Sequence, residues 1–338
     1  MAWTRLTLLQ ATPSSPRDSL LRLSIMALLL ASGWAADTLI AQEEIVPEPA
    51  LQAPLARRSL LLDASAADGN FVVVGERGHI LTSTDQGASW QQVAVPTRAA
   101  LTGVYFHDGN LGWAVGHDSV ILRTSDGGSF WEIVNWAPED EAPLLDVWFA
   151  DEDNGFAAGA YGSFYRTSDG GETWTFEPIS EWDFHLHHVA KSASGRLYMA
   201  AEAGMIYRSD DGGETWAELP SPYEGSFFGT LPLDGDSVLV FGLQGHLFRS
   251  DDAGETWAEI QTGTTAMLTD GLRLADGRVV ISGLGGTMLV SADGGSTFEL
   301  VPQPDRRGIS SIVEAENGQL LMVGEFGVKM MPAEALAN

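Results

Sequence analysis

The sequence predicts an all-β fold, a seven-bladed β-propeller of four-stranded antiparallel blades. Three observations carry this. First, a box of the form S/T-x-D-x-G-x-x-W/F occurs six times, from Ser83–Trp90 to Ser291–Phe298. Its aspartates, Asp85, Asp126, Asp169, Asp211, Asp252 and Asp293, are spaced 41, 43, 42, 41 and 41 residues apart. A period near forty marks one repeated supersecondary unit. Second, a small residue stands ten positions before each aspartate (Gly75, Gly116, Gly159, Ala201, Gly242, Gly283), and Gly324 continues the series. Third, each unit holds four short apolar runs, too short for helices, separated by Gly- and Asp-rich turns. In the second unit these are Leu101–Phe106, Trp113–Val115, Ser119–Arg123 and Trp131–Val134. Four-stranded units of this length stack radially.

The chain divides into four stretches. Residues 1–41 read as a signal peptide with its cleavage region: Arg17 and Arg22 precede the apolar run Leu23–Ala31, and small residues follow at Ser32, Gly33, Ala35 and Ala36. Cleavage is expected after Ala35, Ala36 or Ala41, with a retained anchor as the alternative. The chain has no Cys, which excludes disulfides and lipid attachment to a Cys after that run. Residues 42–58, with Pro47, Pro49 and Pro54, read as a linker and a closing strand. Residues 59–331 are the propeller, and 332–338 a C-terminal tail. In the seventh unit Pro332 and Glu334 replace the box Ser/Thr and Asp, and Asn338 falls one residue short of the Trp position. Residues 43–55 are therefore expected to supply the missing fourth strand of blade seven and remove an open sheet edge.

The box is a turn. Its Asp accepts nearby backbone N–H groups, its Gly takes a positive φ, and its Trp buries a large ring. The six box aspartates are thus scaffold.

Eighteen Lys and Arg face 46 Asp and Glu, a net charge of −28. Such a surface repels nucleic acid and anionic lipid. Binding to nucleic acid is excluded, as is direct membrane insertion once the signal is removed. Arg123, Arg166, Arg208 and Arg249 occupy one repeat position in four blades. They cannot converge on a substrate carboxylate and are expected to pair with blade carboxylates. Among Phe184-His185-Leu186-His187-His188, the histidines lack a third metal ligand and read as inner-strand or loop residues. No metal, cofactor or catalytic residue is indicated. A sialidase-like glycoside hydrolase, with a retaining or inverting carboxylate pair among its abundant acidic residues, or a glycan-binding propeller is the alternative reading.

A binding surface is more legible. The loops that carry the chain from one blade to the next share a face with the Gly-x-x-Gly turns, and they hold large aromatics: Trp136, Trp182, Phe184, Tyr223, Phe227 and Phe228. Arg306 and Arg307 are the adjacent basic pair of that face. Exposed aromatics of this kind suit a partner protein.

The run Gly-x-x-Gly-x-apolar-apolar-Arg-Thr/Ser-x-Asp-Gly-Gly-x-Thr-Trp, closest at Gly159–Trp174, resembles the photosystem II assembly and stability factor family, over about residues 45–331. The box itself is shared with sialidases and sortilin-like receptors, but the usual sialidase Phe/Tyr-Arg-Ile-Pro signature is absent. The resemblance implies an exported, periplasmic, non-enzymatic propeller that binds a client protein, a membrane-complex subunit, and helps to assemble that complex. Relatives in non-photosynthetic bacteria imply a different envelope partner there. The family's basic partner-binding patch has no obvious counterpart in so acidic a chain.

Overall fold

The structure, a computed structural model, describes residues 46–336. Seven antiparallel sheets follow one another along the chain. Blade one is Leu61–Ala67, Asn70–Gly75, Ile80–Ser83 and Gln91–Gln92, paired in that order. Blades two to six repeat this four-stranded meander, and blade seven has three strands, Ile309–Glu314, Gln319–Gly324 and Gly327–Pro332. Each innermost strand packs against the innermost strand of the next blade, and Ile309–Glu314 against Leu61–Ala67, which closes the ring. The sevenfold count read from the glycine series is the observed one.

Burial explains the strand pattern. The second strand of a blade lies between two sheet neighbours and two blade neighbours, so it is apolar without alternation; Gly112–Gly116 and Val238–Gly242 are buried throughout. The apolar clusters lie between blades. Trp113 of blade two stacks on Phe149 of blade three at 3.4 Å between ring centroids, among Val115, Leu144 and Ala157.

The box aspartates lie in turns and are hydrogen-bonded within them. Asp169 Oδ1 accepts the Thr167 hydroxyl (2.8 Å) and the Thr173 N–H (2.9 Å), and its Oδ2 accepts the Thr173 hydroxyl (2.6 Å). The Gly171 N–H donates to Thr167 Oγ1 (2.9 Å), and the Trp174 indole N–H closes on Gly171 O (3.1 Å). Each box carboxylate is held inside its own turn, at the end of the blade away from the Gly-x-x-Gly turns. The repeat-position arginines pair as expected with Glu132, Glu177, Asp210 and Asp251. They also reach the next blade. Arg123 Nε donates to Gly170 O (2.8 Å), Arg208 Nη1 to Ala253 O (3.0 Å) and Arg249 Nη1 to Gly294 O (2.6 Å), and Arg166 Nη2 donates to Gly213 O.

The closing strand takes another course among the described residues. No strand pairs with the outer edge of Gly327–Pro332. The Ala50 N–H donates instead to Val95 O of blade one (3.0 Å), and Gln92 Nε2 donates to Leu51 O (2.9 Å). Residues 50–52 thus run along blade one, Ala53 and Ala56 pack with blade seven, and the Arg57 carbonyl lies against Gly327. The polar Gln92 side chain offers this segment both an acceptor and a donor, which a blade-seven strand edge would otherwise provide. Residues 1–41 of the signal reading and 43–45 of the closing-strand reading lie outside the described residues.

Candidate partner-binding face

Each innermost strand opens with a bulge, a register shift after its first residue, in all seven blades. The bulge leaves one side chain per blade outside the ladder. These seven, Leu62, Thr102, Leu145, His187, Phe228, Thr269 and Ser310, ring the mouth of the axial channel. Leu60, Met267 and Leu284 widen the mouth into an apolar dish of about 420 Å³. Leu60 and Leu284 remain 37% and 39% exposed. Burial pushes the His187 imidazole down to about 4, with neighbouring His185 adding to the effect, so the ring is neutral at pH 7.

One step deeper, the next residues form a second ring that includes Asp63, Asp146, His188, Asp270 and Ser311. The three carboxylates join blades. Asp63 accepts the Ala64 N–H and, from blade two, the Val104 N–H, both at 2.8 Å. Asp146 accepts the Val147 (2.8 Å) and Val189 (2.7 Å) N–H groups, and Asp270 those of Gly271 (2.7 Å) and Ile312 (2.8 Å). Burial pushes Asp63 up to about 8; the Val104 N–H opposes the rise, and Asp270 and Asp146 add to it. Burial raises Asp146 and Asp270 as well, against the influence of His188. Among the described residues no group of three or more His, Asp or Glu could hold a metal.

The face around the dish is electrically divided. Among the described residues Arg98, Arg123, Arg166, Arg196, Arg208, Arg249, Arg273 and Arg278 form ion pairs. Arg57, Arg58, Arg77, Arg306 and Arg307 form none and are exposed. All five stand on the dish side of blades six, seven and one. Arg57 and Arg58 are in the turn Ala56–Arg58 before Leu60, Arg77 is in the turn Glu76–Gly78, and Arg306–Arg307 adjoin Gly308 of the dish rim. The loops entering blades three to five carry exposed Glu139, Asp140, Glu141, Glu181, Asp183 and Glu224 instead.

The aromatics picked from the sequence divide into three kinds. Trp182, 60% exposed, stacks on Phe184 at 6.1 Å, and Phe228 lines the dish and touches His187 at 4.7 Å. His187 and His185 lie 6.1 Å apart, and His185 contacts exposed Tyr161 at 5.0 Å, so an aromatic track runs from blade three to the dish. Trp136 is half-buried against the core between blades one and two, and Tyr223 is half-buried beside His246 at 4.3 Å. Phe227 is 0% exposed and belongs to the core between blades four and five, so it offers nothing to a partner. Leu60, Leu145, Met267 and Leu284 escaped sequence reading because the dish is assembled from all seven blades.

Comparison with known proteins agrees with this architecture. A curated relative, "Photosystem II stability/assembly factor HCF136, chloroplastic" of Cyanidioschyzon merolae (strain NIES-3377 / 10D), is 37% identical over 99 residues, which is 27% of this chain and 22% of that protein. The solved structure described as "YCF48 bound to D1 peptide" superposes with a TM-score of 0.66 at 20% identity, covering 85% of this chain and 99% of that one. "YCF48 from Cyanidioschyzon merolae" gives 0.67 at 19% identity, over 84% and 99%. At such identity the two structures attest the fold. The family profile described as "Photosynthesis system II assembly factor YCF48" matches residues 82–143 and 134–334, nearly the whole ring, and this chain belongs to that family.

Proposed function

We propose that this chain is an exported, non-catalytic scaffold. It binds a client protein, a subunit of a membrane or envelope complex, on the face around the dish and assists assembly of that complex. One observation carries the placement: the five arginines that form no ion pair among the described residues all flank one apolar depression, in a protein whose other described arginines are neutralised. Unpaired guanidinium groups beside apolar surface form the pairing of contacts that protein interfaces concentrate. Family membership supports the scaffold reading, and a relative has been solved with a peptide bound. The box carboxylates, closed within their turns, offer no acid–base pair. The channel carboxylates each accept two backbone N–H groups, which suits staples better than proton transfer.

Affinity capture tests the proposal. The full chain, tagged at its C-terminus, is used to capture partners from detergent-solubilised membranes of its own host. Arg306→Glu with Arg307→Glu, both exposed, is expected to abolish recovery of a membrane subunit at unchanged Tm. Trp182→Ala is expected to weaken it. Equal recovery by all three proteins removes this face from the proposal. Turnover of an aryl glycoside by the purified chain overturns the non-catalytic reading, and recovery of the chain from the cytoplasm after fractionation overturns export.

A further inference from the structure

Six blades cover the outer edge of their third strand with a fourth, and among the described residues blade seven does not. Blade one shows what is missing. There the Val93 N–H donates to Ile80 O (2.9 Å), and Gln92 and Gln91 pair with Leu81 and Thr82. By strand register, Val328, Lys329 and Met330 are the counterparts of Ile80, Leu81 and Thr82. Ala53 packs beside Val328 and Met330 but donates its N–H to Gln92 Oε1 of blade one (2.8 Å). The described N-terminal segment is thus diverted, and Gly327–Pro332 keeps a row of backbone donors and acceptors without a strand partner among the described residues. Such edges recruit extended chains.

Resting on the client-binding reading above, we infer that this edge takes an extended segment of the partner protein by strand addition, completing blade seven, and that acidic residues following the added strand meet Arg57 and Arg58. The direction follows from the fold. A fourth strand runs antiparallel to the third and leaves the blade on the dish side, as Gln91–Gln92 does before Thr97. On that side Gly327 lies directly against the Arg57 carbonyl, so a strand along Gly327–Pro332 emerges beside two exposed arginines with no ion pair. A carboxylate there would find charge-assisted partners that the rest of this acidic surface denies it. Val328 and Met330 are half-buried, leaving modest apolar area for the incoming side chains.

The test uses the full chain and a fluorescein-labelled synthetic peptide of residues 130–141. That peptide contains the outer strand of blade two, Glu132–Asn135, followed by Glu139, Asp140 and Glu141. It is expected to bind and to slow hydrogen exchange across 327–332. The same peptide N-methylated at alternate residues keeps its side chains but loses strand donors, and is expected to bind at least about tenfold more weakly. Arg57→Glu with Arg58→Glu is expected to cost about tenfold as well. Binding without new protection of 327–332, or equal binding of the N-methylated peptide, overturns the inference. Protection of 327–332 as strong as that of Ile80–Ser83 before any peptide is added also overturns it, because the chain's own residues then fill the edge. Protection that rises with protein concentration points to a second copy and overturns it too. Loss of client capture on changing Arg306 and Arg307, with no peptide on the edge, defeats strand addition alone. A zipped peptide with no client captured by the wild type defeats the client reading alone.

Discussion

At the scale of single residues, the aspartates divide into two populations with opposite titration. In the box, Asp169 and Asp211 are pulled down to about 2, chiefly by the hydroxyls of Thr173 and Thr215. Their contribution to stability is present above the unfolded carboxylate value near 4 and is lost as pH falls through about 2. Asp169→Ala is expected to lower Tm and leave partner capture unchanged; a loss of capture at unchanged Tm assigns the box to binding. In the channel, Asp63 is pushed up to about 8. Its contribution is complete below about 4 and disappears as pH rises from about 4 to about 8, because the native state holds a proton that the unfolded chain has released. Asp63→Asn keeps one acceptor for the Ala64 and Val104 N–H groups and does not titrate. Its Tm is expected to fall less between pH 5 and pH 8 (about the window the shift defines) than that of the wild type. Parallel Tm curves for the two proteins contradict the burial argument.

At the scale of the element, the box turn and the third-strand arginine form one device. The guanidinium of blade n donates to a box carbonyl of blade n+1, joining blades two to three, three to four, four to five and five to six. Arg208→Met is expected to cost about 1.5–3 kcal/mol, the worth of a hydrogen bond with a charged donor at a half-buried site. Chemical denaturation measures it, and a change within error reduces the arginine to surface decoration. This element also shows what sequence could and could not supply. Box, turn and strand order were legible because they repeat within about forty residues, and local chemistry fixes them. The carbonyl that each arginine finds lies 45 or 47 residues on, so sequence supplied only the carboxylate half of its contacts. The Phe227–Phe228 pair fails for a subtler reason. A bulge shifts the alternation by one residue at that point, which sends Phe227 into the core and Phe228 to the dish, and nothing in the local pattern marks the bulge. The closing strand is not seen among the described residues, where Gln92 competes for the N-terminal backbone with side-chain atoms, a contest that spacing alone does not reveal.

At the scale of the whole molecule, a ring is as strong as its weakest joint, and the joints are unequal. Blades one and two share the Asp63 staple, and Thr102 Oγ1 donates to Leu144 O between two and three (2.5 Å). Blades three and four share the Asp146 staple, while four and five share the Arg196–Asp236 pair (2.8 Å) and the Arg208 latch. Blades five and six add Arg273 with Asp234 (2.5 Å) to the Arg249 latch, and six and seven add Asp270 with Thr269. Between seven and one, by contrast, no channel carboxylate and no repeat arginine crosses among the described residues. That joint rests on apolar packing of Leu61, Phe71, Leu321 and Met330 and on one long contact, Gln86 Nε2 to Glu316 Oε2 at 3.4 Å. Non-directional packing resists sliding less than hydrogen bonds aimed at fixed carbonyls, and regions with fewer such bonds open at lower free energy. Native-state hydrogen exchange in dilute denaturant is therefore expected to open the sheets of blades seven and one first, with blades three to five the last to exchange. Occupation of the Gly327–Pro332 edge by an added strand is expected to raise protection at that joint above all others. Exchange that proceeds evenly round the ring, or begins at blades three to five, would show that staples and latches do not set the order of opening.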